Sequence, residues 1–209
     1  MIFQLSYRKK SINIKKMKKL SYFIIAILVF APFYSAGAQS LKGDTERSTI
    51  LWHGEKIGGA HDGTIDLKSA DVKIEDKMPV SGSVVIDMTT IVDTDIKNDG
   101  MRKKLEEHLR SDDFFGVADH PEAVFSISSS EKTVDGIKVK GDLTIKGKTQ
   151  PYEFITQMEE AEGGFIFKGK MDIDRTLFDV RYGSKKFFAK IGDRAIDDIF
   201  TLKYELYLE

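Results

Sequence analysis

From Ile137 to Ile145 apolar and polar residues alternate without a break. Ile137, Val139, Leu143 and Ile145, with Gly141, lie on one side; Lys138, Lys140, Asp142 and Thr144 lie on the other. Successive side chains of a β-strand point to opposite faces, so this pattern makes one wet face and one apolar face. The same period recurs at Val84, Ile86 and Met88, at Ala123, Phe125 and Ile127, at Phe165, Phe167, Met171 and Ile173, and at Leu202, Tyr204, Leu206 and Leu208. Asp62-Gly63, Asp135-Gly136, Gly147-Lys148 and Glu162-Gly163-Gly164 read as turns. One-sided antiparallel strands joined by hairpins must bury their apolar faces together, which predicts a barrel or a sandwich.

One segment follows another period. Met101, Leu105 and Leu109 are four residues apart, which predicts a helix over 98–109 with Asn98 or Asp99 as its cap. Arg102 with Glu106 and Lys103 with Glu107 are placed to pair across one turn. A single helix in a β protein covers an edge or plugs one end of a barrel.

Residues 1–38 differ from the rest. A cluster of Lys15, Lys16, Lys18 and Lys19 precedes an apolar run from Tyr22 to Phe33, and Ala36-Gly37-Ala38 supplies a small-x-small cleavage pattern. This is the layout of a secretory signal peptide, complete even from an alternative start at Met17. An uncleaved anchor is the competing reading, but the run falls short of the roughly 20 residues that span a membrane. The expected mature domain is 39–209, periplasmic or secreted.

Seven of the 32 basic residues lie in 1–38, which has no acidic residue; the other 25 face 33 acids, a formal net charge of −8. Such an acidic body argues against nucleic acid as a partner and against electrostatic docking on an anionic membrane. The absence of cysteine excludes disulfides, thiol catalysis, Cys-based zinc sites and a lipidated cysteine after the signal. No stable membrane insertion is expected once the signal is removed.

The motifs that suggest chemistry weaken under inspection. Gly147-Lys148-Thr149 looks like the end of a P-loop, but that motif needs a glycine five places earlier, where Asp142 stands. Pro151 and an alternating segment follow, so no helix N-terminus is available to hold a phosphate, and no nucleotide is expected. Of His53, His61, His108 and His120, no pair has the spacing of a helical metal motif, and no metal site is expected. His61-Asp62 could form a His–carboxylate pair; His120-Pro121 reads as a turn before a strand. Asp172 and Asp174 share a wet strand face, and Asp174-Arg175 reads as a strand-end anchor. No nucleophile elbow appears. No catalytic residue and no cofactor is expected. Phe114, Phe115, Phe125, Phe154, Phe165, Phe167, Phe178, Phe187, Phe188, Phe200 and Trp52 supply an aromatic interior. Periodicity does not separate a filled core from a lumen that holds a ligand.

The run Gly141-Asp142-Leu143-Thr144-Ile145-Lys146-Gly147-x-Thr149-x-Pro151 resembles a signature of the YceI-like family of bacterial lipid- or polyisoprenoid-binding proteins. Ser48-x-Ile50-x-Trp52, Asp87-Met88-Thr89-Thr90-Ile91, Phe114-Phe115, His120-Pro121-x-Ala123-x-Phe125, Asp174-Arg175-x-x-Phe178 and Ile191-Gly192-Asp193 resemble further family elements in the same order. His120 replaces the usual tyrosine, and the 58–63 and 182–188 segments look like those of a subgroup.

The resemblance implies an all-β fold, an eight-stranded antiparallel lipocalin-like β-barrel with one short α-helix near an end. It implies a polyisoprenoid or other long-chain lipid in the lumen and no catalytic residue. On that reading the lining is Ile50, Trp52, Met88, Phe125, Ile127, Leu143, Ile145, Phe154, Phe165 and Phe167, and His61, Arg175 and Lys185 stand where a head group would meet the mouth. Two alternatives stay open: an envelope enzyme acting on a lipid through His61 or His120, and a filled barrel whose outer face binds a protein in a stress or transport pathway.

Overall fold

The computed structural model describes residues 38–209. The signal-peptide reading and Met17 lie outside the described residues. Eight strands follow in order: β1 (Gln39–Lys56), β2 (Gly59–Glu75), β3 (Met78–Asp93), β4 (Glu122–Thr133), β5 (Gly136–Ile145), β6 (Lys148–Ala161), β7 (Gly164–Asp174) and β8 (Ile196–Leu208). One helix, α1 (Asp99–Arg110), lies between β3 and β4. Each strand pairs antiparallel with the next, and β8 pairs back onto β1, with Trp52 opposite Leu202 and Gly54 opposite Phe200. The result is a closed barrel with no free sheet edge. The alternation is the cause: the apolar face of every strand turns inward, and closure satisfies the backbone.

Strands as long as β1 and β2 need local irregularities to curl. In β1 the pairing with β8 slips between Asp44 and Thr49. The Asp44 carboxylate accepts from the backbone N–H groups of Glu46 (2.9 Å) and Arg47 (3.0 Å), folding the excess residues into a small turn of their own. In β2 a shift between Leu67 and Ser69 changes which parity faces inward. Gly63, Ile65 and Leu67 are buried before it, and Ala70, Val72 and Ile74 after it. Bulges of this kind bend and coil a strand.

Two of the expected turns move. The β5–β6 turn centres on Lys146-Gly147, both with positive φ (+49° and +68°), one residue before the expected Gly147-Lys148. A two-residue turn of this type needs positive φ at both central positions, so the register shifts to place Gly147 second. Asp62-Gly63 is not a turn at all; it lies within β2, and Ile57-Gly58 turns β1 into β2. Gly63 is needed for a different reason. A Cβ there would stand 2.0 Å from the Val92 carbonyl oxygen and 2.4 Å from the Trp52 ring.

The antiparallel order gives the barrel two unlike ends. Tight turns at 76–77, 134–135 and 162–163 mark one, together with the start of β1 and the finish of β8. The other carries the α1 connection and the long β7–β8 connection, 175–195, besides the short turns at 57–58 and 146–147. The first is the turn end and the second the loop end.

Asn98 caps α1, its side chain accepting from the Met101 N–H, with Asp99 in the first turn and Arg110 in the last, each on the favourable side of the helix dipole. Leu105 and Leu109 face the barrel, but Met101 is 67% exposed, so the buried stripe covers only the second half of the helix. Arg110 donates to the Ile91 carbonyl, and Glu106 accepts from the Asp93 N–H (3.1 Å), pinning α1 to the end of β3. Of the expected i,i+4 pairs, Arg102 lies 3.9 Å from Glu106 and also pairs with Asp99 at 2.7 Å.

Candidate functional site

The lumen holds a cavity of about 560 Å3, within the range of ligand-binding pockets. Its wall is built from the inward face of the strands: Ile50 and Trp52 of β1, Ile65 and Val72 of β2, Ile86 and Met88 of β3, Phe125 and Ile127 of β4, Leu143 and Ile145 of β5, Phe154 of β6, Phe167 and Met171 of β7. Two glycines make room for this interior. A Cβ on Gly141 would stand 2.1 Å from the Ser126 carbonyl and 2.9 Å from the Phe125 ring, and one on Gly169 would stand 2.4 Å from the Tyr204 hydroxyl.

At the loop end an aromatic group closes over the wall. The chain turns back after α1, with the Phe115 N–H donating to the Leu109 carbonyl and the Val117 N–H to the Arg110 carbonyl. This delivers Phe114 and Phe115 to the lumen. His108 stacks edge-on against Phe114 (5.1 Å between centroids) and against Tyr182 (4.5 Å), and Phe115 meets Phe200 at 6.2 Å.

Polar lining is concentrated at the same end, where Glu55, Lys56, His61, Asp193, Arg194 and Asp197 reach the cavity. Deeper in, the lumen presents Thr156 and Tyr204, and burial pushes the Tyr204 hydroxyl well above the usual phenol range.

Arg175 is only 3% exposed. Its guanidinium donates to the carbonyls of Val180 (2.8 Å), Asp197 (2.9 Å) and Ile196 (3.1 Å), and lies 5.7 Å over the Phe114 ring. Burial pulls its pKa below the ordinary arginine value, with Asp198, Asp174 and Asp197 opposing that shift. The side chain touches the cavity, yet most of its donors hold the β7–β8 connection onto the start of β8. Asp174 caps the following 3-10 turn through the Thr176 N–H (3.0 Å) and binds Lys186 (2.7 Å), so Asp174 and Arg175 form an anchor as expected of a strand end.

His61 finds its carboxylates on β3 and just beyond it, not at Asp62. Gly63 pairs with Asp93, so two residues further out His61 comes level with Asp95. The His61 Nδ1 lies 3.1 Å from Asp95 Oδ1 and 3.6 Å from Asp93 Oδ2. Asp62 instead pairs with His53 at 2.7 Å. Burial pushes the Asp93 carboxyl up, its bond from the Ile96 N–H opposes this, and its contact with Asp95 adds to the rise. Burial acts the same way on Asp95, but hydrogen bonding to His61 and Asp93 holds that carboxyl below its ordinary value.

The YceI-like domain model matches residues 42–207, almost all of the barrel. The chain belongs to the YceI-like family. It is similar to Protein YceI of Shigella sonnei, 34% identical over 108 residues, an alignment covering 47% of this chain and 53% of the relative. The chain thus spans about half the length of the curated relatives it matches. Among solved structures it is similar to BcnA of Burkholderia cenocepacia (TM-score 0.65, 20% identity, 80% of this chain and 99% of that one). It is also similar to a polyisoprenoid binding domain from Saccharophagus degradans implicated in plant cell wall breakdown (TM-score 0.59, 13% identity, 83% and 99%). At these identities the likeness is one of fold.

The YceI-like barrel brings most of the expected residues together. Ile50, Trp52, Met88, Phe125, Ile127, Leu143, Ile145, Phe154 and Phe167 line the cavity, as do His61 and Arg175. Phe165 does not; it lies two residues into β7 beside the 162–163 turn, packed against the buried cluster beyond the lining. Lys185 does not either; it is exposed on the β7–β8 connection. In the same stretch Phe187 and Phe188 are 44% and 50% exposed, a correction to their expected place in the interior. The expectation passed over Ile65 and Val72 of β2, whose alternation is broken by the bulge between them, and over the aromatic closure after α1.

Proposed function

We propose that this protein is a carrier that holds one long-chain amphipathic lipid, of the polyisoprenoid class, in its lumen. The observation that carries the reading is the apolar cavity of about 560 Å3 inside a closed barrel. Left without a ligand, its apolar lining is either wetted or lacks partner atoms, and both are unfavourable. A hydrocarbon chain restores the missing contacts, and each methylene moved out of water adds roughly 0.8 kcal/mol. The ligand's polar end would sit at the loop end, where His61 and the other ionisable lining groups gather. The polyisoprenoid binding domain of the Saccharophagus degradans protein, which shares the fold, supports the choice of ligand class.

The reading is of binding without catalysis. Export to the periplasm or beyond is part of the proposal and rests on the basic, apolar and small-residue order of residues 1–38. Organic extraction of the purified protein followed by mass spectrometry tests it. One long-chain lipid per chain is expected. A barrel that yields no lipid and takes none up when offered polyprenol vesicles would contradict it.

A further inference from the structure

We propose that His61, Asp93 and Asp95 form a binding site for a divalent transition-metal ion, of the zinc class, at the loop-end rim of the barrel. Their three ligand atoms lie within 4.8 Å of one another. Ligands 2.0–2.2 Å from a tetrahedral zinc stand roughly 3.3–3.6 Å apart. The separations from His61 Nδ1, 3.1 Å and 3.6 Å, fall around that edge length.

The independent observation is the state of Asp93. Its side chain is fully buried. Oδ1 accepts from the Ile96 N–H at 2.8 Å, but Oδ2, on the side of His61, accepts no hydrogen bond from an N–H or O–H donor among the described residues. A buried carboxylate oxygen without a donor is costly, and burial is retained where a charge is paired or binds a metal. The neighbouring backbone holds the oxygen in place. The Asp93 N–H is bound by Glu106, and both the N–H and the hydroxyl of Thr94 donate to the Asp62 carbonyl (2.9 and 3.2 Å). Thus β2, β3 and α1 all fix the arrangement.

The donor set points the same way. One imidazole and two carboxylates suit zinc or manganese rather than calcium, which prefers six or more oxygens. Three protein ligands leave one position open, and His61, one of the three, lines the cavity. An oxygen of a bound head group or a water would complete the tetrahedron. That last assignment rests on the carrier reading; the metal site does not.

The test uses the full chain without a histidine tag, stripped with chelator and titrated with zinc against a chromophoric competitor. One ion per chain is expected, with affinity falling as pH drops because protons compete with the metal for its ligands. Asp93→Asn and His61→Ala should each weaken binding at least about tenfold, whereas Asp62→Asn, one residue away and paired with His53, should not. Cobalt substitution gives a second readout, intense visible bands of a tetrahedral ion in the unaltered chain and none in Asp93→Asn. Circular dichroism establishes that each variant is folded. Equal zinc affinity in the unaltered chain and in folded Asp93→Asn, or no stoichiometric binding, would overturn the proposal. Metal binding in a chain that retains no lipid would leave the site standing and sink the carrier reading alone.

Discussion

The two ends of this barrel solve different problems. At the turn end, strands are joined by two-residue turns, and the nearby lining, Val72, Pro79, Val139, Leu206 and Leu208, is apolar. At the loop end, two long connections carry a helix, an aromatic closure and a buried arginine, and the ionisable side chains that reach the cavity gather there from the connections (His108, Arg175, Asp193, Arg194) and from the ends of β1, β2 and β8 (Glu55, Lys56, His61, Asp197). The same wall runs through both. The alternation of side chains creates a generic apolar container, and the charged lining is confined to the strand ends and connections at one mouth.

The largest expected effect tests whether the loop end is a built structure. Arg175→Ala removes the partner of three carbonyls and opens a buried gap, and should cost about 3–5 kcal/mol in denaturant unfolding. A loss under about 1 kcal/mol would mean that the β7–β8 connection is held by other contacts. Next is Val139→Phe, which adds volume to the lumen far from the rim. It should exclude lipid while costing no more than about 1–3 kcal/mol, and should leave zinc binding unchanged. Simultaneous loss of both would show that the ends are not separable.

A smaller effect has an unusual sign. Asp93 has a raised pKa in the fold, so its protonated form is favoured there, and its contribution is fully present below the unfolded carboxyl value near 3.8 and is lost as pH rises through the folded value. Asp93→Asn should therefore raise the neutral-pH melting temperature of the metal-free chain while weakening metal binding. Asp174 behaves in the opposite way. Its pKa is lowered by Lys186 and Thr176 against the effect of burial, so its stabilisation is present above 3.8 and is lost as pH falls through the folded value. Asp174→Asn should flatten the acid side of the stability profile. The smallest change is expected at the turn end. Lys77→Ala breaks an exposed pair with Glu160 and should shift stability by less than about 0.5 kcal/mol.

What could be read from the residues follows the same division. β5, β7 and β8 were legible because an uninterrupted period of two reports one buried face, and β3 and β4 because that period holds over Val84–Met88 and Ala123–Ile127. β2 was not, because the slip between Leu67 and Ser69 resets the parity, so Ile65 and Val72 share a face without sharing a period. Asp62-Gly63 imitated a turn because a glycine that admits a neighbouring tryptophan looks the same in a sequence as one that admits positive φ. Met101 imitated a core position because helical spacing alone does not show how far a short helix overhangs its sheet. The trio of His61, Asp93 and Asp95 was invisible for a stronger reason. It is created by the pairing of Gly63 with Asp93, a register no local pattern records.

The central claim is that the lumen takes up a long-chain lipid, and the chain carries its own reporter. Trp52 is the only tryptophan in the sequence and lines the cavity. Titrating the delipidated protein with a long-chain polyprenol while recording Trp52 fluorescence tests the claim most directly. The account predicts a saturable blue shift at one lipid per chain, absent in Val139→Phe. A spectrum that does not respond, or that responds equally in both proteins, would contradict it.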